Sequence, residues 1–170
     1  MKILVTTASK HGATADIGDA IAGKLREHDL EVEIHEPDEV PSLEGYDAVI
    51  LGSAIYAGRW MDTARRFSER HHAALRRLPV WLFSSGPIGD PPQPEEEPVD
   101  GKRLLKELGA REHRVFAGRV NNADLGWVEK TITRMVKAPE GDFRDFDAIR
   151  VWAAEVADQL APANSVHLRR

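Results

Sequence analysis

Residues 3–14 read ILVTTASKHGAT, and the change of character half-way along this stretch decides the fold. Ile3-Leu4-Val5 is a continuous apolar run, the signature of a strand covered on both faces, whereas Ile17, Ala20, Ile21 and Leu25 follow at helical spacing. Between them stand the hydroxyls of Thr6, Thr7, Ser9 and Thr14, with Lys10, His11 and Gly12. A strand, a polar glycine-containing loop and a helix in that order open a βαβ unit. In such a unit the loop lies beyond the strand's carboxyl end, where the helix N-terminus presents unpaired N–H groups and the positive end of its dipole.

The pattern recurs along the chain. Apolar runs at Val32–His35, Ala48–Gly52, Val80–Ser84 and Val115–Gly118 predict four more strands. Helical spacing of Ala64, Phe67 and Leu75, of Leu104, Leu105 and Leu108 closing on Gly109 as a C-cap, and of Phe146, Ile149, Val151, Trp152 and Val156 predicts the helices between and after them. Alternation of the two periods predicts an α/β fold, a doubly wound five-stranded parallel sheet with helices on both faces. The crossover from Glu36 to Tyr46 is too short and too rich in proline and acids for a long helix. Gly86 to Pro98, GPIGDPPQPEEEP, reads as a surface loop, and DLGWVEKTITRMVK at 124–137 as an amphipathic helix with Trp127, Ile132, Met135 and Val136 toward the core. Residues 1–162 are expected to form a single domain, with 163–170 a flexible tail.

Composition narrows the function. With 42% hydrophobic and 30% charged residues, and no apolar run near the roughly 20 residues of a membrane span, the pattern is globular. The start of the chain carries no secretory signal pattern, so a cytoplasmic location is expected, with peripheral membrane contact still compatible. Zero cysteines exclude disulfides, thiolate zinc sites and cysteine nucleophiles. A net charge of -5 argues against general nucleic-acid binding. Six arginines between 59 and 77, against Asp62 and Glu69, and five acids between 90 and 100 read as a solvated helix face and a solvated loop. His71-His72 diverge by about 100° on a helix and lack a third ligand, and Ser84-Ser85-Gly86 lacks the G-x-S-x-G elbow of a serine nucleophile.

The opening loop suits an anion. Thr7, Ser9 and Thr14 offer hydroxyl donors, Gly12 allows close backbone approach, and the loop N–H groups can converge on a phosphate monoester. Neither a Walker loop nor the three-glycine dinucleotide fingerprint is present, and the plainer alternative is an ordinary helix start capped by Ser9 or Thr14. Two further carboxyl-end loops, GSAIYAGRW (52–60) and SSGPIGD (84–90), place small residues, glycines and polar groups where backbone can grip a flat ring.

Through ILVTTASKHGAT, YDAVILGSAIYAGRW with its following FSERH, and GDFRDFDAIRVWAAEVA, the chain resembles the flavodoxin-like FMN-binding family, and within it the branch of flavodoxin-type, quinone-dependent protoporphyrinogen dehydrogenases. The resemblance implies a flavodoxin-like sheet and FMN as cofactor. It implies that Thr7, Ser9, Lys10, His11, Gly12, Ala13 and Thr14 hold the FMN phosphate. Ser53, Ala54, Ile55, Tyr56, Ala57 and Gly58, with Ser84, Ser85, Gly86 and Pro87, would flank the isoalloxazine. Two departures stand out: Ala8-Ser9 where the branch has a hydroxyl followed by Thr, and RVNNADLG (119–126) where it has arginine and aromatic residues.

The implied activity is an FMN-dependent oxidoreductase that transfers electrons to or from a quinone or other small molecule. The alternative is a non-enzymatic electron carrier between protein partners, and a third reading is a flavin-free interaction module on the same scaffold. A phosphorylated receiver domain needs acids at the end of its first strand, where Thr6-Thr7 stand here. A flavin brings its own redox chemistry, so no catalytic acid is required of the chain. Arg59 and Arg119 lie on carboxyl-end loops where a cation stabilises a reduced ring; the plainer reading pairs them with Asp62 and Asp124. Tyr56 is placed either to stack on the ring or to pack under its loop. Carriers are acidic around the flavin edge, and Arg59 with Arg65-Arg66 tilts the reading toward an enzyme.

Overall fold

The structure, a computed structural model, describes residues 1–86, 98–120 and 141–161. In chain order its elements are β1 (Lys2–Ala8), α1 (Ala13–Arg26), β2 (Glu31–His35), β3 (Ala48–Tyr56), β4 (Arg59–Trp60), α2 (Asp62–Arg70), α3 (His72–Leu75), β5 (Val80–Ser85), α4 (Val99–Leu108), β6 (Glu112–Phe116), β7 (Arg119–Val120), β8 (Gly141–Asp142) and α5 (Phe146–Leu160). Five strands run parallel in the order β2-β1-β3-β5-β6, the doubly wound sheet the sequence predicts. β4 folds back antiparallel on the end of β3, and β7 pairs with β8 as a separate two-stranded ribbon. The expected helix at 124–137, Pro87 with most of the acidic loop, and the expected tail lie outside the described residues.

Each face of the sheet closes its own core, because successive side chains of a strand point to opposite sides. Ile3 and Val5 of β1, Ile50 of β3, and Trp81 and Phe83 of β5 pack under Ile17, Ile21 and Leu25 of α1 and Ile149, Trp152 and Val156 of α5. Leu4, Val49, Leu51, Val80 and Leu82 face the other way, against Trp60, Ala64 and Phe67, Leu75, Leu104 and Leu108. α1 lies close on β1 at Gly18, where an added Cβ would stand 2.7 Å from Thr7 Cγ2. Gly52 of β3 makes room for the Phe83 ring in the same way. At the far edge, Arg26 donates to the Val32 carbonyl (2.8 Å), and Lys2 pairs with Glu33 (2.7 Å).

Four details depart from the sequence reading or sharpen it. The fifth parallel strand spans Glu112–Phe116 rather than Val115–Gly118, because its first three side chains are charged or polar yet paired: Glu112 accepts from Trp152 Nε1 (2.9 Å), and Arg114 reaches Glu112 and Glu155. The helix expected across 64–75 breaks at His71 (φ -103, ψ 13), whose ring packs on Phe67 at 4.8 Å and whose Nε2 lies 3.0 Å from the Val40 carbonyl. Burial pushes the His71 pKa down. The second crossover holds only a 3-10 turn at Pro37–Glu39. Gly109 closes α4 in the left-handed region (φ 64), as expected of a C-cap.

Candidate functional site

The register brings the three loops together. Thr7 pairs with Gly52 and Ala8 with Ser53, while Ser53 pairs with Ser84 and Ala54 with Ser85, so β1 and β5 end within one residue of each other on either side of β3, which runs two residues further into its hairpin. That end is where a doubly wound sheet binds ligands.

In the first loop the N-cap of α1 is Gly12 (φ 80, ψ -16), with no side-chain cap; neither Ser9 nor Thr14 caps the helix. The first N–H inside the turn to bond is that of Asp16, to the Gly12 carbonyl (2.9 Å), which leaves the N–H groups of residues 13–15 without an acceptor inside the helix. The Cβ position of Gly12 has no atom within 4 Å. The open Gly12 turn, the helix N–H groups without helical acceptors and the positive dipole end, in a loop that also carries Ser9 and the exposed Lys10, suit a phosphate, so the residues present fit the cofactor that the resemblance implies. Thr7 and Thr14 are buried beneath the loop.

The ribbon β7–β8 reaches this loop from the other side. Arg119 donates to the His11 carbonyl (3.1 Å), and Arg144 donates to the Ala13 carbonyl (3.1 Å) and pairs with Asp16 (2.8 Å) and Asp142 (2.7 Å). Hydrogen bonding to Arg144 holds the Asp142 carboxyl below its ordinary pKa, and Asp142 raises that of the guanidinium. Arg119 thus binds the backbone of the first loop; Asp124 lies outside the described residues.

The second loop is a tight hairpin. Tyr56 pairs with Arg59 across two residues of positive φ, Ala57 (49) and Gly58 (74), a type I′ turn that matches the twist of its strands. Tyr56 is exposed, and the Lys10 ammonium stands 6.0 Å from its ring centroid, which places side chains of the first and second loops together. Ser53 turns inward: its hydroxyl donates to the Ala54 carbonyl (2.8 Å) and accepts from Met61 N–H (3.0 Å), fixing the entry to α2. Arg59 pairs with Asp100 (3.8 Å) rather than with Asp62, which is taken by Arg65.

In the third loop Ser84 also turns inward, accepting from Trp60 Nε1 (2.7 Å) and sharing a hydrogen bond with His113 Nε2 (2.7 Å). Ser85 is buried; Gly86 donates to the Phe116 carbonyl (3.3 Å), and its Cα lies 3.1 Å from where a Cβ of Gly118 would stand. An added Cβ at Gly86 itself would meet Ile55 at 2.8 Å, so backbone forms this wall of the site. Asp100, Trp60 and His113, far apart in sequence, form a polar cluster under the hairpin that no local motif announces.

Comparisons with known proteins bear on the family and the fold. The family described as "Flavodoxin domain" matches residues 4–147. Protoporphyrinogen IX dehydrogenase [quinone] of Escherichia coli strain K12 is 21% identical over 173 residues, covering 92% of this chain and 95% of that protein. Among solved structures, a flavodoxin from the domain Archaea superposes with a TM-score of 0.67 at 15% identity, over 95% of this chain and all of that one (100%). Oxidised flavodoxin 1 from Bacillus cereus gives 0.66 at 21% identity, over 95% and 100%. No helix among the described residues is long and apolar enough to cross a membrane.

Proposed function

We propose, because this chain belongs to the flavodoxin domain family, that it binds FMN where β1, β3 and β5 end and exchanges electrons with a quinone or another small molecule. The observation that supports this best is the meeting of three loops at one end of the sheet: the open Gly12 turn at the head of α1, the hairpin bearing Tyr56, and the backbone wall at Gly86. In this reading residues 7 and 9–14 bind the phosphate, and residues 53–58 with 84–87 flank the ring. Bound FMN supplies the electron-transfer chemistry. The chain's own groups orient and shelter it: α1 N–H groups neutralise phosphate charge, Tyr56 covers the rim, and backbone at Gly86 permits close approach.

An enzyme is favoured over a carrier by Arg59, which is 65% exposed beside the Tyr56 hairpin and gives the rim a cation where a carrier is acidic. The quinone named for the Escherichia coli relative, which matches across nearly the whole of both chains, supports a quinone as electron acceptor.

The test is fluorescence titration of the full chain with FMN and with riboflavin. FMN is expected to bind at least tenfold more tightly, about 1.4 kcal/mol, since a hydrogen bond to a charged group contributes roughly 1.5–3 kcal/mol. Absence of quenching with FMN overturns the reading. Stopped-flow reoxidation of the reduced protein by a water-soluble benzoquinone then separates the two activities: a rate above that of free FMN marks an enzyme, and a rate at or below it a carrier.

A further inference from the structure

We propose that Asp100, a buried carboxylate in the first turn of α4, is a positioning residue that latches the β3–β4 hairpin and so sets where Tyr56 and Arg59 stand; this rests on the reading of the site as a flavin site. The hairpin's own geometry creates the need for a latch. In a two-residue hairpin the pair that closes the turn, here Tyr56 and Arg59, exchanges backbone hydrogen bonds, while the next pair, Ile55 and Trp60, does not. The Trp60 N–H therefore points away from β3, an edge donor on a strand only two residues long.

Asp100 receives it. One carboxylate oxygen accepts from Trp60 N–H (3.0 Å) and lies 3.8 Å from Arg59 Nε; the other stands 3.3 Å from Arg103 Nη2. The side chain is 1% exposed. A neutral acceptor would satisfy the N–H, and burying a carboxylate is costly unless it is paired. Here the Arg59 and Arg103 guanidiniums beside it compensate the buried charge, and the acceptor oxygen is what latches the hairpin.

The latch has a back plate. Trp60 is 2% exposed, and its indole N–H donates to Ser84 Oγ, which is bonded in turn to His113 Nε2. The His113 ring lies so close to Gly101 that an added Cβ there would be 2.2 Å from it, so α4 is seated without slack beside Asp100. The Ser84–His113 pair is not a nucleophile and base: Ser84 is 0% exposed and its oxygen also takes the indole. It fixes Trp60 in place.

If the latch aids FMN binding, FMN binding must tighten the latch by the same factor, since coupling between two events is reciprocal. The experiment measures amide hydrogen exchange of the Trp60 N–H in the full chain with and without saturating FMN, and the FMN Kd of Asp100→Leu and Asp100→Asn. Leucine fills the volume without an acceptor; asparagine keeps the acceptor. The expected results are exchange at Trp60 that slows on adding FMN at least tenfold more than at the core amide of Leu51, which tracks the general stabilisation by ligand, a Kd at least tenfold higher for Asp100→Leu, and a Kd within threefold of wild type for Asp100→Asn.

Wild-type protein that binds no FMN overturns the site reading and the latch with it. Wild-type protein that binds FMN with no more slowing at Trp60 than at Leu51, an Asp100→Leu variant that binds it as wild type does, or an Asp100→Asn variant as weak as Asp100→Leu overturns the latch alone. Should Asp100→Leu fail to fold, the wild-type exchange measurement decides.

Discussion

Gly52→Ala tests the packing that seats the central strand beside its neighbours. A Cβ at Gly52 would stand 2.1, 2.3 and 2.6 Å from Cζ, Cε1 and Cε2 of Phe83. Carbon atoms in contact sit roughly 3.5–4.0 Å apart, so the tip of the ring must withdraw by about 1.5 Å. It has little room to do so: Phe83 is 0% exposed, and its ring centroid lies 6.0 Å from that of Phe116 and 6.2 Å from that of Trp152. Overpacking of this kind costs roughly 1–3 kcal/mol, while replacing a strand glycine by alanine returns about 0.5–1 kcal/mol. With the ring walled by two aromatics the cost lies at the upper end of that range, so the net loss is about 2–2.5 kcal/mol, or a melting temperature lower by roughly 4–10 °C for a chain this size.

Urea unfolding should show a lower midpoint with an unchanged slope. Phe83→Leu supplies the control, because it removes the ring that the methyl meets; the double variant should be at least about 1 kcal/mol more stable than the sum of the single losses. A Gly52→Ala chain within about 0.5 kcal/mol of wild type, or strict additivity of the pair, refutes the reasoning.

Two other predictions concern the turn and the acid limb. Ala57→Asn should stabilise by about 0.5 kcal/mol, since an ordinary residue at φ 49 bears part of the left-handed cost and Asn-Gly is the favoured type I′ pair; a loss of stability contradicts the turn. Hydrogen bonds from Lys2 and then Tyr46 hold the Glu33 carboxyl at about 2. Its folded value lies below the ordinary 4.5, so its contribution is complete above that value and is lost as pH falls toward about 2; Glu33→Gln should flatten the stability profile across that window, and parallel profiles would dismiss the pair.

Sheet and helices were legible where burial was two-sided or periodic: Ile3-Leu4-Val5, Ala48 to Leu51 and Val80 to Phe83 are apolar because helices cover both faces. The start of β6 was hidden because Glu112 and Arg114 meet their needs through Trp152 and Glu155, partners that only the fold supplies. Gly12 announces an open turn, and the plainer alternative, a cap by Ser9 or Thr14, fails because the glycine takes the N-cap position in a left-handed conformation. Ser53 and Ser84 read as loop residues that flank a ring, yet both stand within β3 and β5, where strand alternation turns their hydroxyls inward beneath the hairpin. Asp100 was visible only as one acid among five in a solvated run, since what distinguishes it is a backbone N–H forty residues away.

The sheet order ends at β2, and an end strand is a template on which another chain can grow. Here the template is spoiled. Arg26 occupies the Val32 carbonyl, and Glu31, Glu33 and His35 put ionisable groups along the strand, with Glu33 held by Lys2 and Tyr46. A strand from a second molecule would have to evict a guanidinium and set its side chains against carboxylates. The Lys2–Glu33 pair that pins β2 to β1 therefore also discourages edge-to-edge association, and protonation of Glu33 in acid removes its share of that guard together with the stability the pair lends.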